Sequence, residues 1–163
     1  MIVKFDKKAF KINKLISDTI FQNIKQKISK SEFELERLHE YIAPEEKPKL
    51  LKEGYSLFRN RDFQESYDAL CAEFIEKFNN VTTRYQSIPS LRIQLPGDIS
   101  VDFHADMFYG HGENIINYWM PITKVFGSNS MHVISESESK SLIENAKLTR
   151  QSIEDLNEKC MRL

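Results

Sequence analysis

Residues 91–106 read Leu91-Arg92-Ile93-Gln94-Leu95-Pro96-Gly97-Asp98-Ile99-Ser100-Val101-Asp102-Phe103-His104-Ala105-Asp106. Leu91, Ile93 and Leu95 alternate with Arg92 and Gln94, and beyond Pro96-Gly97 the residues Ile99, Val101 and Phe103 alternate with Ser100, Asp102 and His104. A period of two puts successive side chains on opposite faces of an extended chain, and a Pro-Gly pair between two such runs marks a tight turn. The stretch predicts two antiparallel strands. On the second, His104 and Asp106 share a face, about 7 Å apart along the chain. An imidazole and a carboxylate so placed can reach one metal ion. They are the adjacent half of a 2-His-1-carboxylate set, which leaves positions open on Fe(II). A bare His-x-Asp is common by chance, and the plain alternative is a partly exposed strand end with two polar residues.

The alternation continues downstream. Residues 115–122 predict a third strand, between the Gly110-His111-Gly112 loop and Gly127, and Met131, Val133 and Ile134 predict a fourth. Residues 81–134 hold only 7 charged residues, against 29 in residues 1–80, and contain four of the five glycines and the single Trp. Short strands at this density indicate an antiparallel meander or part of a β-barrel.

On either side the period is helical. Leu15, Ile16, Ile20, Ile24 and Ile28 make one apolar stripe. Leu35, Leu38 and Tyr41 mark a second short helix ended by Pro44, and Pro48 opens a third carrying Leu50, Leu51, Tyr55 and Phe58. Asp62 is the expected N-cap of a fourth, with Phe63, Tyr67, Leu70, Phe74 and Phe78 on its buried face. Residues 139–161 predict a last amphipathic helix. The aromatics of the helical region are read as core, and His39 as a helical residue without a chemical role. The expected organisation is therefore α+β within one domain: a helical region (1–80), a strand core with the His-x-Asp pair (81–135) and a C-terminal helix (136–163).

Composition narrows the function classes. The net charge of −1 gives no bulk electrostatic grip on nucleic acid or an anionic membrane. The two cysteines, Cys71 and Cys160, form neither a disulfide framework nor a zinc-ribbon pair and are read as plain thiols. The N-terminus has no signal-peptide core, and no apolar run reaches the roughly 18 residues that span a bilayer. The expectation is a cytoplasmic protein with a small-molecule substrate and no nucleic-acid or membrane partner. Exposed strand edges of an open barrel would allow a homodimer.

The run from Arg92 through His104-Ala-Asp106, Tyr109-Gly-His111, Asn114-Ile-Ile-Asn-Tyr-Trp-Met-Pro-Ile-Thr123 and Gly127-Ser-Asn-Ser-Met-His132-Val-Ile134 resembles the Fe(II)/2-oxoglutarate-dependent oxygenase superfamily. Within it, the likeness is to phytanoyl-CoA-hydroxylase-like proteins and the small bacterial group named for streptomycin biosynthesis. The resemblance implies a jelly roll, or double-stranded β-helix, with the N-terminal helices packed on its antiparallel strands. It also implies Fe(II) with 2-oxoglutarate as cosubstrate, and His104 and Asp106 as the first two iron ligands. The family needs a distal His and a later Arg or Lys for the cosubstrate's far carboxylate. His132 falls too early in the pattern for the usual distal ligand, so the economical expectation is a chain truncated relative to the family.

Further candidates surround the pair. Arg92, as a pocket cation, suits a bidentate carboxylate contact; facing outward it is a solvated side chain. His111 lies in a glycine-flanked loop, where it touches substrate or bonds to local backbone. By the resemblance, Asn117 or Thr123 donates to the cosubstrate. The leading function is a small-molecule hydroxylase or an N-terminal fragment of one. The alternative is a non-catalytic barrel remnant acting as a binding or assembly module. A cupin-like isomerase fits less well, because cupins cluster several histidines and the first strand pair offers one.

Overall fold

The computed structural model describes residues 5–6, 10–78, 84–98, 115–131, 133–149 and 155. The chain divides into two compact units, Met1–Pro96 and Gly97–Leu163.

The first unit is built on helices. Helix α1 (Ile12–Ile24) buries Ile12, Ile16, Ile20, Phe21 and Ile24; Ile16, Ile20 and Ile24 belong to the expected stripe, whereas Leu15 is half-buried and Ile28 lies beyond the helix end. A 3₁₀ turn (Leu35–Arg37) leads into the single-turn α2 (Leu38–Tyr41), which buries Leu38. Pro44 opens a second 3₁₀ turn (Pro44–Glu46), where a missing N–H costs nothing. Helix α3 (Lys47–Leu57) follows, with Pro48 in its first turn and Leu50 and Gly54 buried. Glu46 ties this corner together: it accepts from the Ala43 N–H at 2.9 Å and from Lys27 Nζ at 2.5 Å.

Helix α4 (Arg61–Phe78) buries Phe63, Leu70 and Phe74. Its N-cap is Asn60, not the expected Asp62. Asn60 Oδ1 accepts from the Asp62 N–H at 2.9 Å, and its carbonyl accepts from the Gln64 N–H at 3.0 Å. Both residue types cap helices, and here the one in front of the first turn does so. Helix α1 packs against both α3 and α4, and the core of this unit includes Phe58 and Phe63, whose ring centroids are 4.6 Å apart. These are among the most deeply buried side chains, and each contributes about 1.5–3 kcal/mol relative to an exposed position.

Residues 84–95 run back along this helical layer without regular secondary structure, bending at 87–88. Tyr67 Oη donates to the Gln86 carbonyl at 2.8 Å, and Gln64 Nε2 to the Ser87 carbonyl at 3.1 Å. The Leu91 N–H donates to Tyr55 Oη at 3.4 Å. Ile93 and Leu95 are buried at 8% exposure, while Arg92 and Gln94 are exposed. The two-residue period is therefore real. It is satisfied by laying one face on helices, with side chains holding the backbone, and it forms no strand ladder.

In the second unit residues 115–126 have no regular secondary structure and bend at 122–123, a 3₁₀ turn spans Gly127–Asn129, and α5 covers Glu136–Thr149. Gly127 has φ +50°, a left-handed conformation that favours glycine. Phe126 N–H donates to Asn129 Oδ1 at 2.5 Å and closes the turn. Helix α5 starts three residues before the expected 139 because Ser135 and Glu138 form a reciprocal capping box. Glu138 N–H donates to Ser135 Oγ at 3.2 Å, and Ser135 N–H to Glu138 Oε2 at 3.0 Å.

The expected α+β class is corrected. Among the described residues there is helix and no strand. The sheet expected beneath the N-terminal helices, a jelly roll or partial double-stranded β-helix, is absent from them. Residues 91–95 and 115–122, and Met131, Val133 and Ile134, are extended or irregular without cross-strand pairing. The physical reason is that alternation specifies a two-faced extended chain, whereas a strand also needs a neighbouring backbone to pair with. The predicted strand over 99–103 lies outside the described residues, as do most residues of the predicted helix beyond Thr149.

Candidate functional site

The expected site residues fall into two groups. His104, Asp106, His111 and His132 lie outside the described residues. Arg92, Asn117 and Thr123 are described. Arg92 is exposed, on the face opposite the buried Ile93 and Leu95. Its position follows from the period: Leu91 and Ile93 turn inward, and Arg92 between them must turn out. Asn117 is exposed in the stretch before the Gly127 turn, and Thr123 is half-buried at a bend. Arg92 belongs to the first unit; Asn117 and Thr123 belong to the second. No group of three or more His, Cys, Asp or Glu side chains able to hold a metal ion occurs among the described residues. The iron and jelly-roll attributes taken from the resemblance thus have no counterpart there.

The described residues do gather one cluster of titratable groups, where α4 meets residues 85–86. Tyr85 Oη donates to Asp68 Oδ1 at 2.9 Å, and the rings of Tyr67 and Tyr85 meet edge to face with centroids 6.0 Å apart. Cys71 lies one turn beyond Tyr67 on the helix, within hydrogen-bonding reach of its phenol. Burial pushes the Tyr67 phenol up from its ordinary range, and its contacts with Cys71 add to this. Burial likewise raises the Cys71 thiol. The hydrogen bond with Tyr67 pulls the other way, and the Asp68 charge adds to the rise. The hydrogen bond to Asp68 raises Tyr85, with smaller contributions from desolvation and charge.

All three shifts favour the protonated form. A thiol held protonated is a poor nucleophile and a poor metal ligand. The cluster fastens residues 85–86 to α4. Sequence reasoning assigned Tyr67 to the core and left Cys71 as a plain thiol. The signal for their meeting was their i, i+4 spacing; nothing local announced Tyr85 as the third member.

Exposed large apolar side chains mark the second unit. Ile116 is 61% exposed, Phe126 67% and Val133 76%, with Ile115, Tyr118, Trp119 and Met131 also exposed. Residues 115–133 contain a single Lys or acidic side chain, Lys124.

Comparison with known proteins gives one similarity. A 52-residue stretch, 31% of this chain, is 35% identical to the streptomycin biosynthesis protein StrG of Streptomyces griseus, and it covers 26% of that protein's length. The chain thus matches about a quarter of that relative. No protein-family model matches, and no solved structure matches. The likeness to the group named for streptomycin biosynthesis is supported to this extent. The similarity does not reach the wider oxygenase superfamily. No helix among the described residues is long and apolar enough to cross a membrane.

Proposed function

We propose that the chain acts in small-molecule biosynthesis, as a non-heme Fe(II)/2-oxoglutarate-dependent hydroxylase or the N-terminal portion of one. The observation that carries this reading is the 52-residue similarity to a streptomycin biosynthesis protein. The sequence adds His104-Ala-Asp106, whose imidazole and carboxylate are donors that ferrous iron accepts. When bound, Fe(II) with its cosubstrate supplies the redox chemistry that attacks an unactivated C–H bond. In this reading His104 and Asp106 would hold the metal.

The test is Co(II) titration of the 163-residue chain, followed by visible absorption. Weak binding is expected, because two protein donors hold a metal less well than three, and His104→Ala and Asp106→Ala should abolish it. A His104→Ala chain that binds as well as the parent overturns the assignment. His39→Ala, on the exposed surface of α2, controls for adventitious binding.

A second reading, a binding or assembly module without catalysis, is favoured by the exposed apolar side chains between Ile115 and Val133. It predicts that the parent chain itself gives no Co(II) spectrum.

A further inference from the structure

We draw no further inference here: the strongest candidate, the exposed apolar surface of the second unit around Ile116, Trp119, Phe126 and Val133, carries nothing because nothing in the structure shows what covers it.

Discussion

Leu91 lies so close over Gly54 that a β-carbon at position 54 would collide with the leucine's Cδ2. Gly54 sits in the interior of α3, where glycine ordinarily costs about 1 kcal/mol relative to alanine. The close approach explains its place there. It lets the segment around Leu91 settle onto the helix, with the Leu91 N–H donating to Tyr55 Oη one residue further along.

Gly54→Leu should therefore lift residues 88–95 off α3. A destabilisation of about 1–3 kcal/mol is expected, as for other overpacked sites. Urea denaturation gives the loss of stability, and faster hydrogen exchange at the Leu91 amide would locate it. Unchanged stability and exchange in this variant would mean that the segment is not seated on Gly54.

Burial separates two phenylalanines. Phe63 is 1% exposed in the core of the first unit, and Phe126 is 67% exposed in the second. Phe63→Ala should cost about 3–5 kcal/mol through lost burial and the cavity left behind. Phe126→Ala should stay within about 0.5 kcal/mol. Chemical denaturation of the two variants side by side checks the contrast, and equal losses would contradict the exposure of Phe126.

The start of α5 depends on Ser135. Ser135→Ala removes the acceptor of the Glu138 N–H and should cost about 1 kcal/mol of helix stability. The readout is hydrogen exchange in the first turn of α5, which should speed up while exchange in α1 and α4 stays unchanged. Acceleration spread evenly over both units would argue against a local cap.

The Tyr67–Cys71 pair predicts sensitivity to alkali. Both groups are acids whose folded pKa lies above the ordinary value. The folded state thus holds these protons more tightly than the unfolded chain. The resulting stability is fully present below the ordinary thiol pKa, about 8.5, and is lost as pH rises through the raised values. The denaturation midpoint should fall above about pH 9, and Tyr67→Phe should flatten that fall.

The same burial slows the thiol. In a Cys160→Ser background, Cys71 should react with iodoacetamide at pH 8 more slowly than free cysteine, because less of it is thiolate. Reaction at the free-cysteine rate would show that the thiol is not shielded.

The sequence by itself determined the helices of the first unit and which faces they bury. Ile16, Ile20 and Ile24 on α1, and Phe63, Leu70 and Phe74 on α4, are buried as their spacing requires. Helical hydrogen bonds close within a segment, so the apolar stripe that selects the buried face is written locally. The capping box at Ser135 and Glu138 starts α5 earlier than the apolar pattern alone placed it. Period-two patterning likewise determined that Ile93 and Leu95 turn in while Arg92 turns out. What that face packs against was decided by tertiary structure alone. A strand's hydrogen bonds come from distant residues, and here the helices supply the partner, through the bare backbone at Gly54 and the hydroxyls of Tyr55 and Tyr67. The meeting of Tyr85 with Asp68, 17 residues apart, has the same origin. Of the candidate site, the sequence supplies the donor types at His104 and Asp106, which lie outside the described residues. Their geometry belongs to tertiary structure, because neighbouring side chains and solvent set what a metal ligand can reach.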